Sequence, residues 1–333
     1  MKKIFTIAMI AAAAFAAEGY KVVGKIKIGG TGGWDYVALD NANRRLYVSH
    51  ATKVEVVDPD AGKVVGAIEQ LHGVHGIAIA NDLGKGYITN GQSNSVTIFD
   101  LKTLAKTGEP ATGKNPDAVC YEAKTHRVFT FNHTGNDATA IDGKTGEVLK
   151  SFPLGPAPEF CVSDDAGHLY ANLEGSSEVV EIDAAKAEVT RRASVLPCEG
   201  PSGLAIDIKG KKLFSVCDKV MAITDIPTMK VAGTTAIGNG PDAAGYDPGT
   251  GLAFASCGAG DGSLAIVKNV GGKWQTVDTV TTERGARTMT VDPKTHKVYL
   301  LAAEYGQAPP PKDGKKGRPP VLPDSFHVLV VGK

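Results

Sequence analysis

Aromatic residues are scarce in this sequence, 6 % of 333 positions, and no charge of either sign prevails, with 36 basic residues against 36 acidic ones. A chain without excess charge sets up no bulk field toward nucleic acid, so nucleic acid is disfavoured as a partner. The chain after its first residues holds no sustained 3.6-residue apolar period, which excludes helical solenoids. Also missing are a G-x-S-x-G elbow, a phosphate loop, a G-x-G-x-x-G between strand and helix, and a C-x-x-C-H haem site. The chemistries that those motifs carry go with them. Cysteine is rare and odd in number, five in all, so in an oxidising compartment at most two disulfides form and one thiol is left over.

The N-terminus reads as a processing signal. Lys2 and Lys3 are its basic region, Ile4 to Ala13 its apolar region, and Ala14-Phe15-Ala16 its small-residue cleavage site. Glu18 and Gly19 interrupt the apolar run well before the twenty or so residues that a membrane span needs. Residues 1–17 are therefore expected to be a signal peptide and 18–333 a single domain. The expected location is periplasmic or secreted, with no membrane span after processing.

What the sequence has in abundance is glycine, 40 residues, with frequent Asp, Asn and Pro, the composition of many short strands joined by turns. One apolar phrase recurs through it, marked by Tyr47, Tyr87, Phe129, Tyr170, Phe214, Phe254 and Tyr299 at steps of 40 to 45 residues. A second mark, an Asp at 58, 100, 142, 183 and 225, advances by 41 or 42. Two registers with one period define a repeat. One unit, Asp35 to Glu69, holds four runs of strand formers separated by "DNANRR", "SHAT" and "DPDAGK", a four-stranded antiparallel meander.

Four strands in some forty residues is the size of a propeller blade. The last unit stops one strand short, while an orphan strand, Tyr20 to Ile28, precedes the first unit. Adding that strand to the last unit completes seven blades. The expectation is an all-β, seven-bladed β-propeller of four-stranded antiparallel blades, closed by the N-terminal strand in the last blade, with a Pro-rich insertion at 304–324. A closed ring needs no partner subunit to cover an edge, so a monomer is expected.

The phrases "YITN" at Tyr87 to Asn90 and "YVSH" at Tyr47 to His50, with blade endings such as "VVDPDAGKVVGAI", resemble the YVTN-type, YncE-like family of periplasmic β-propellers. The resemblance runs nearly the length of the chain after residue 18. It implies the fold, and it brings no shared catalytic motif to carry over.

Ligands of propellers concentrate at the channel mouth, where the innermost strands begin. Aligning "GWDYV", "GVHGI", "NPDAV", "APEFC", "GPSGL", "GPDAA" and "GARTM" brings Asp35, His75, Asp117, Glu159, Ser202, Asp242 and Arg287 to one shared position. Clustered carboxylates with an imidazole suit a small ligand, a divalent metal ion as cofactor, or acid-base work. The same residues also suit hydrogen bonding to strand-entrance amides and channel waters. Asn90 and Asn132, at the ends of second strands, are further ligand candidates. His50, His72 and His75 are a candidate metal set of imidazoles, which fits zinc or copper better than calcium.

Cys198 and Cys217 fall on one face of one blade and are expected to pair, with Cys257 the competing partner and Cys120 and Cys161 expected as buried thiols. The insertion offers Lys312, Lys315, Lys316 and Arg318 to an acidic partner, or serves as a lid. The function that follows is a binding or interaction protein taking a small molecule, metal ion or protein partner at the ring face. The alternative is a metal-assisted lactonase or lyase with His75 and Glu159 as candidate catalytic residues.

Overall fold

The recurring aromatics are buried because each second strand lies between two neighbouring sheets. Tyr47, Tyr87, Phe129, Phe214 and Phe254 are fully enclosed, and Tyr170 and Tyr299 nearly so. The Asp register is local: at the hairpin joining the third and fourth strands, Asp58 accepts the amides of Asp60 and Ala61. Asp100 does the same for Lys102 and Thr103, and Asp142 for Lys144 and Thr145. A short carboxylate that satisfies two turn amides fixes where each hairpin reverses.

The computed structural model describes residues 19–260, 262–309, 317 and 319–333. The expected signal peptide and Lys312, Lys315, Lys316 and Arg318 lie outside them. The described residues form seven four-stranded sheets, six of them meanders with the first strand innermost. Blade one, for instance, runs Trp34–Asp40, Arg45–His50, Lys53–Asp58 and Lys63–Ile68. Helix is confined, among the described residues, to the 3-10 turns Asn81–Leu83 and Glu174–Ser176. The fold is a seven-bladed β-propeller.

Closure is by strand exchange. Lys21–Lys27 pairs antiparallel with His327–Gly332 and becomes the outermost strand of the sheet that Met289–Asp292 and Lys297–Ala302 begin. The core is not central. Among the described residues the buried apolar side chains fall into seven clusters, one between each pair of adjacent blades. The cluster of Ile26, Val37, Leu46 and Val48 with Tyr299, Leu301 and Val328 joins the last blade to the first. Trp34 packs at this seam, stacked on Phe326 with ring centroids 4.9 Å apart.

Two disulfides are present. Cys198–Cys217 ties the approach to the inner strand of blade five to that blade's second strand, as expected. Cys120 and Cys161, in contrast, are not free thiols but a disulfide with Cα atoms 6.2 Å apart. They stand at different offsets within their repeats and on strands that share no hydrogen-bond ladder. Only the approach of blades three and four around the axis brings them together. Cys257 is the remaining buried thiol. Two disulfides fit an oxidising, extracytoplasmic compartment. The described base of the insertion closes on itself through the Gly306 N–H to Pro320 carbonyl bond and is tied to the ring by the Asp324 N–H to Gly30 carbonyl bond and by Tyr305 close to Trp34.

Candidate functional site

The inner strands enter the channel through irregularities that serve the site. In blades one to four the pairing of first and second strands slips at Trp34/Val37, Val74/Ile77, Pro116/Val119 and Pro158/Cys161. Blade six slips at Pro241/Ala243. A bulge inserts an unpaired residue and re-aims its side chain, and the residues inside these slips include Asp35, His75, Asp117, Glu159 and Asp242. All five, with Arg287, line one recess of about 200 Å³ at the channel mouth. Polar pins hold the bulges: Thr89 accepts the Gly76 amide at 2.7 Å and donates to the Asp117 carbonyl at 2.6 Å. Gly76 is required here, since a Cβ would lie 2.7 Å from that same carbonyl oxygen.

Within the recess, His75 Nδ1 is 2.7 Å from Asp35 Oδ2 and 3.5 Å from Asp117 Oδ1. Arg287 pairs with Asp242 and stands 3.6 Å from Asp35. On the other side His133 Nε2 is 3.4 Å from Glu159 Oε1 and 3.8 Å from Glu174 Oε2. Asp117 Oδ1 is buried and makes no hydrogen bond. Tyr36 of blade one and Phe160 of blade four stack across the axis, centroids 5.4 Å apart, and floor the recess. Beneath them a shaft of about 420 Å³ continues between mostly aliphatic inner-strand residues and the rings of Tyr121 and Tyr246, with Cys120 and Cys161 in its wall.

The electrostatics show how crowded the carboxylates are. Burial, reinforced by the charges of Asp117, Glu174, Asp242 and Asp35, pushes Glu159 up to about 9. Burial and the charge of Asp35 push Asp117 up to about 7 against the opposing pull of His75. Asp242 is raised by burial, which the Arg287 guanidinium offsets in part. Burial disfavours a charged His75, but its hydrogen bond to Asp35 and the charge of Asp117 outweigh that and raise it. For Asp117 and Glu159 burial and neighbouring carboxylates outweigh the positive charge at hand, and a cation in the recess would offset them.

Two groups of donors lie within 4.8 Å of one another: Asp35, His75 and Asp117, and Asp117, His133 and Glu159. The imidazole set expected from the sequence is not assembled. His50 is buried beside Glu55 and against Phe326, and His72 is exposed, so neither joins His75 in a ligand group among the described residues. Asn90 and Asn132 do not line the recess either. Each is buried in its blade, Asn90 donating to Thr97 at 2.9 Å and Asn132 to Asp137 at 2.6 Å. Ser202 turns its hydroxyl to the Pro241 carbonyl. The residues that the sequence pattern places just beyond the ring set are His133 and Glu174, each directly after the second strand of its blade, Arg127–Asn132 and His168–Leu173.

No family model matches the chain. Antigen Lp49 of Leptospira interrogans serogroup Icterohaemorrhagiae serovar copenhageni is 29 % identical over 142 residues, 40 % of this chain and 30 % of that protein. The match thus spans less than a third of that relative's length. Among solved structures, the Kuenenia stuttgartiensis hydrazine synthase matches with a TM-score of 0.59 at 21 % identity, over 69 % of this chain and 77 % of that one. The structure of U3-55K matches with a TM-score of 0.75 at 7 % identity, over 92 % and 97 %. At such identities the likeness carries the fold alone.

Proposed function

We propose that this propeller is an extracytoplasmic binding protein whose channel mouth takes a divalent transition-metal cation. The observation that carries the reading is the half-buried Asp117 carboxylate, whose enclosed Oδ1 makes no hydrogen bond, set between an imidazole-carboxylate pair on each side. Mixed imidazole and carboxylate donors favour zinc, manganese or nickel over calcium, which prefers an all-oxygen shell. The repeat phrase and the N-terminal signal pattern support placing the chain with the YVTN-type propellers of the periplasm. The name of the antigen relative supports an extracytoplasmic setting.

The test is titration of the metal-free protein with Zn²⁺, Mn²⁺, Ni²⁺ and Ca²⁺ by calorimetry and thermal shift. Saturating Zn²⁺ or Mn²⁺, at about 100 times Kd, should stabilise the fold by about 2.7 kcal/mol. Asp117→Asn should weaken binding by about 100-fold or more while remaining folded. If none of the four cations gives heat or a shift in Tm, the reading fails. A metal-assisted lactonase or lyase would draw on the same residues, with Glu159, protonated at neutral pH in the metal-free protein, in its favour as an acid. Lactone hydrolysis assayed with and without chelator tests it, and an inert metal-loaded protein rules it out.

A further inference from the structure

We propose that the mouth holds two divalent cations, not one, bridged by the Asp117 carboxylate. The inference rests on the mouth being a cation site and specifies how that site is divided. Donors on a tetrahedral ion at about 2.0–2.1 Å lie about 3.4 Å from one another. His75 Nδ1 and Asp117 Oδ1 are 3.5 Å apart on one side, and His133 Nε2 and Glu159 Oε1 are 3.4 Å apart on the other. Each pair is already near the spacing of two ligands on one ion.

The two donor groups share a single residue. A carboxylate has two oxygens, and one that serves both groups gives each ion one of them, the arrangement found where paired ions sit about 3.5–4 Å apart. The first ion then takes Asp35, His75 and Asp117, and the second takes Asp117, His133 and Glu159. Asp242 stays outside both because Arg287 already neutralises it. Opening the 2.7 Å contact of His75 with Asp35 frees both for the first ion. Two ions bring four positive charges against three ligand carboxylates. The surplus positive charge calls for an anionic oxygen ligand, a hydroxide or the oxyanion of a small molecule, in the open part of the recess.

The experiment loads the full mature chain with Mn²⁺, counts bound metal after gel filtration, and records the electron paramagnetic resonance spectrum. Two ions per chain with an exchange-coupled spectrum are expected. His75→Ala and His133→Ala should each leave one ion with an uncoupled six-line signal, their folding checked by circular dichroism. A single ion in the wild type, or two that show no coupling, overturns the pair while leaving the cation site standing. No bound ion overturns the cation site and the pair together.

Discussion

At the scale of single residues, the mouth sacrifices stability for a gathering of like charges. Glu159 shows this most directly. In the metal-free protein its folded-state pKa is about 9, far above the value of about 4.3 in an unfolded chain. Between those values the folded state binds more protons than the unfolded one, so stability falls as pH rises from about 4.3 to about 9 and levels off beyond. Asp117, at about 7, acts in the same direction over the lower part of the window. Glu159→Gln should therefore match the wild type in Tm near pH 4 and exceed it by a few degrees at pH 8 to 9. Parallel Tm profiles for the two proteins would show that Glu159 is not held protonated by its neighbours. Gly76 belongs to this scale too, because the Asp117 backbone packs where a side chain would begin.

At the scale of elements, the bulged inner strands and the bridge between two of them set the site's dimensions. Cys120 lies three residues beyond Asp117 on Pro116–Glu122, and Cys161 two beyond Glu159 on Pro158–Ser163. The disulfide thus clamps the two strands that carry the shared carboxylate and its neighbour. Its loop spans 41 residues, so the chain-entropy relation gives a loss of about 4 kcal/mol for the Cys120→Ser, Cys161→Ser double variant. In a chain of this length that is a fall of about 6 °C in Tm. The double variant should also bind cation more weakly, whereas the Cys198→Ser, Cys217→Ser variant should lose stability alone, because that bridge holds no strand carrying a ligand. Equal affinities in calorimetry for the two double variants would remove the clamp from the account of the site. The pairing was illegible in the sequence because unequal offsets along two strands carry no information on how adjacent blades are staggered.

At the scale of the whole molecule, the ring stands on its seven inter-blade clusters and on one non-covalent closure. The outer strand Lys21–Lys27 buries little beyond Ile26, but it covers the edge of His327–Gly332, all of whose residues are buried. Tyr20 anchors its start, with its hydroxyl donating to the His296 carbonyl and its ring edge-on to Phe254. Deleting 20–27 should expose that edge, lower Tm by about 8 °C or more and promote association. A monomer of unchanged Tm in light scattering and calorimetry would show that the ring closes without it. The sequence by itself determined the blade count, the strand order, the closure and the position from which Asp35, His75, Asp117, Glu159, Asp242 and Arg287 reach the axis. All of these follow from one period and from local turn chemistry repeated along the chain. Only the tertiary structure decided which of those side chains meet, that His133 joins them in place of His50 and His72, and that Cys120 finds Cys161. Those contacts depend on bulges and on the rotation of one blade against the next, distances across the ring that no spacing along the chain records.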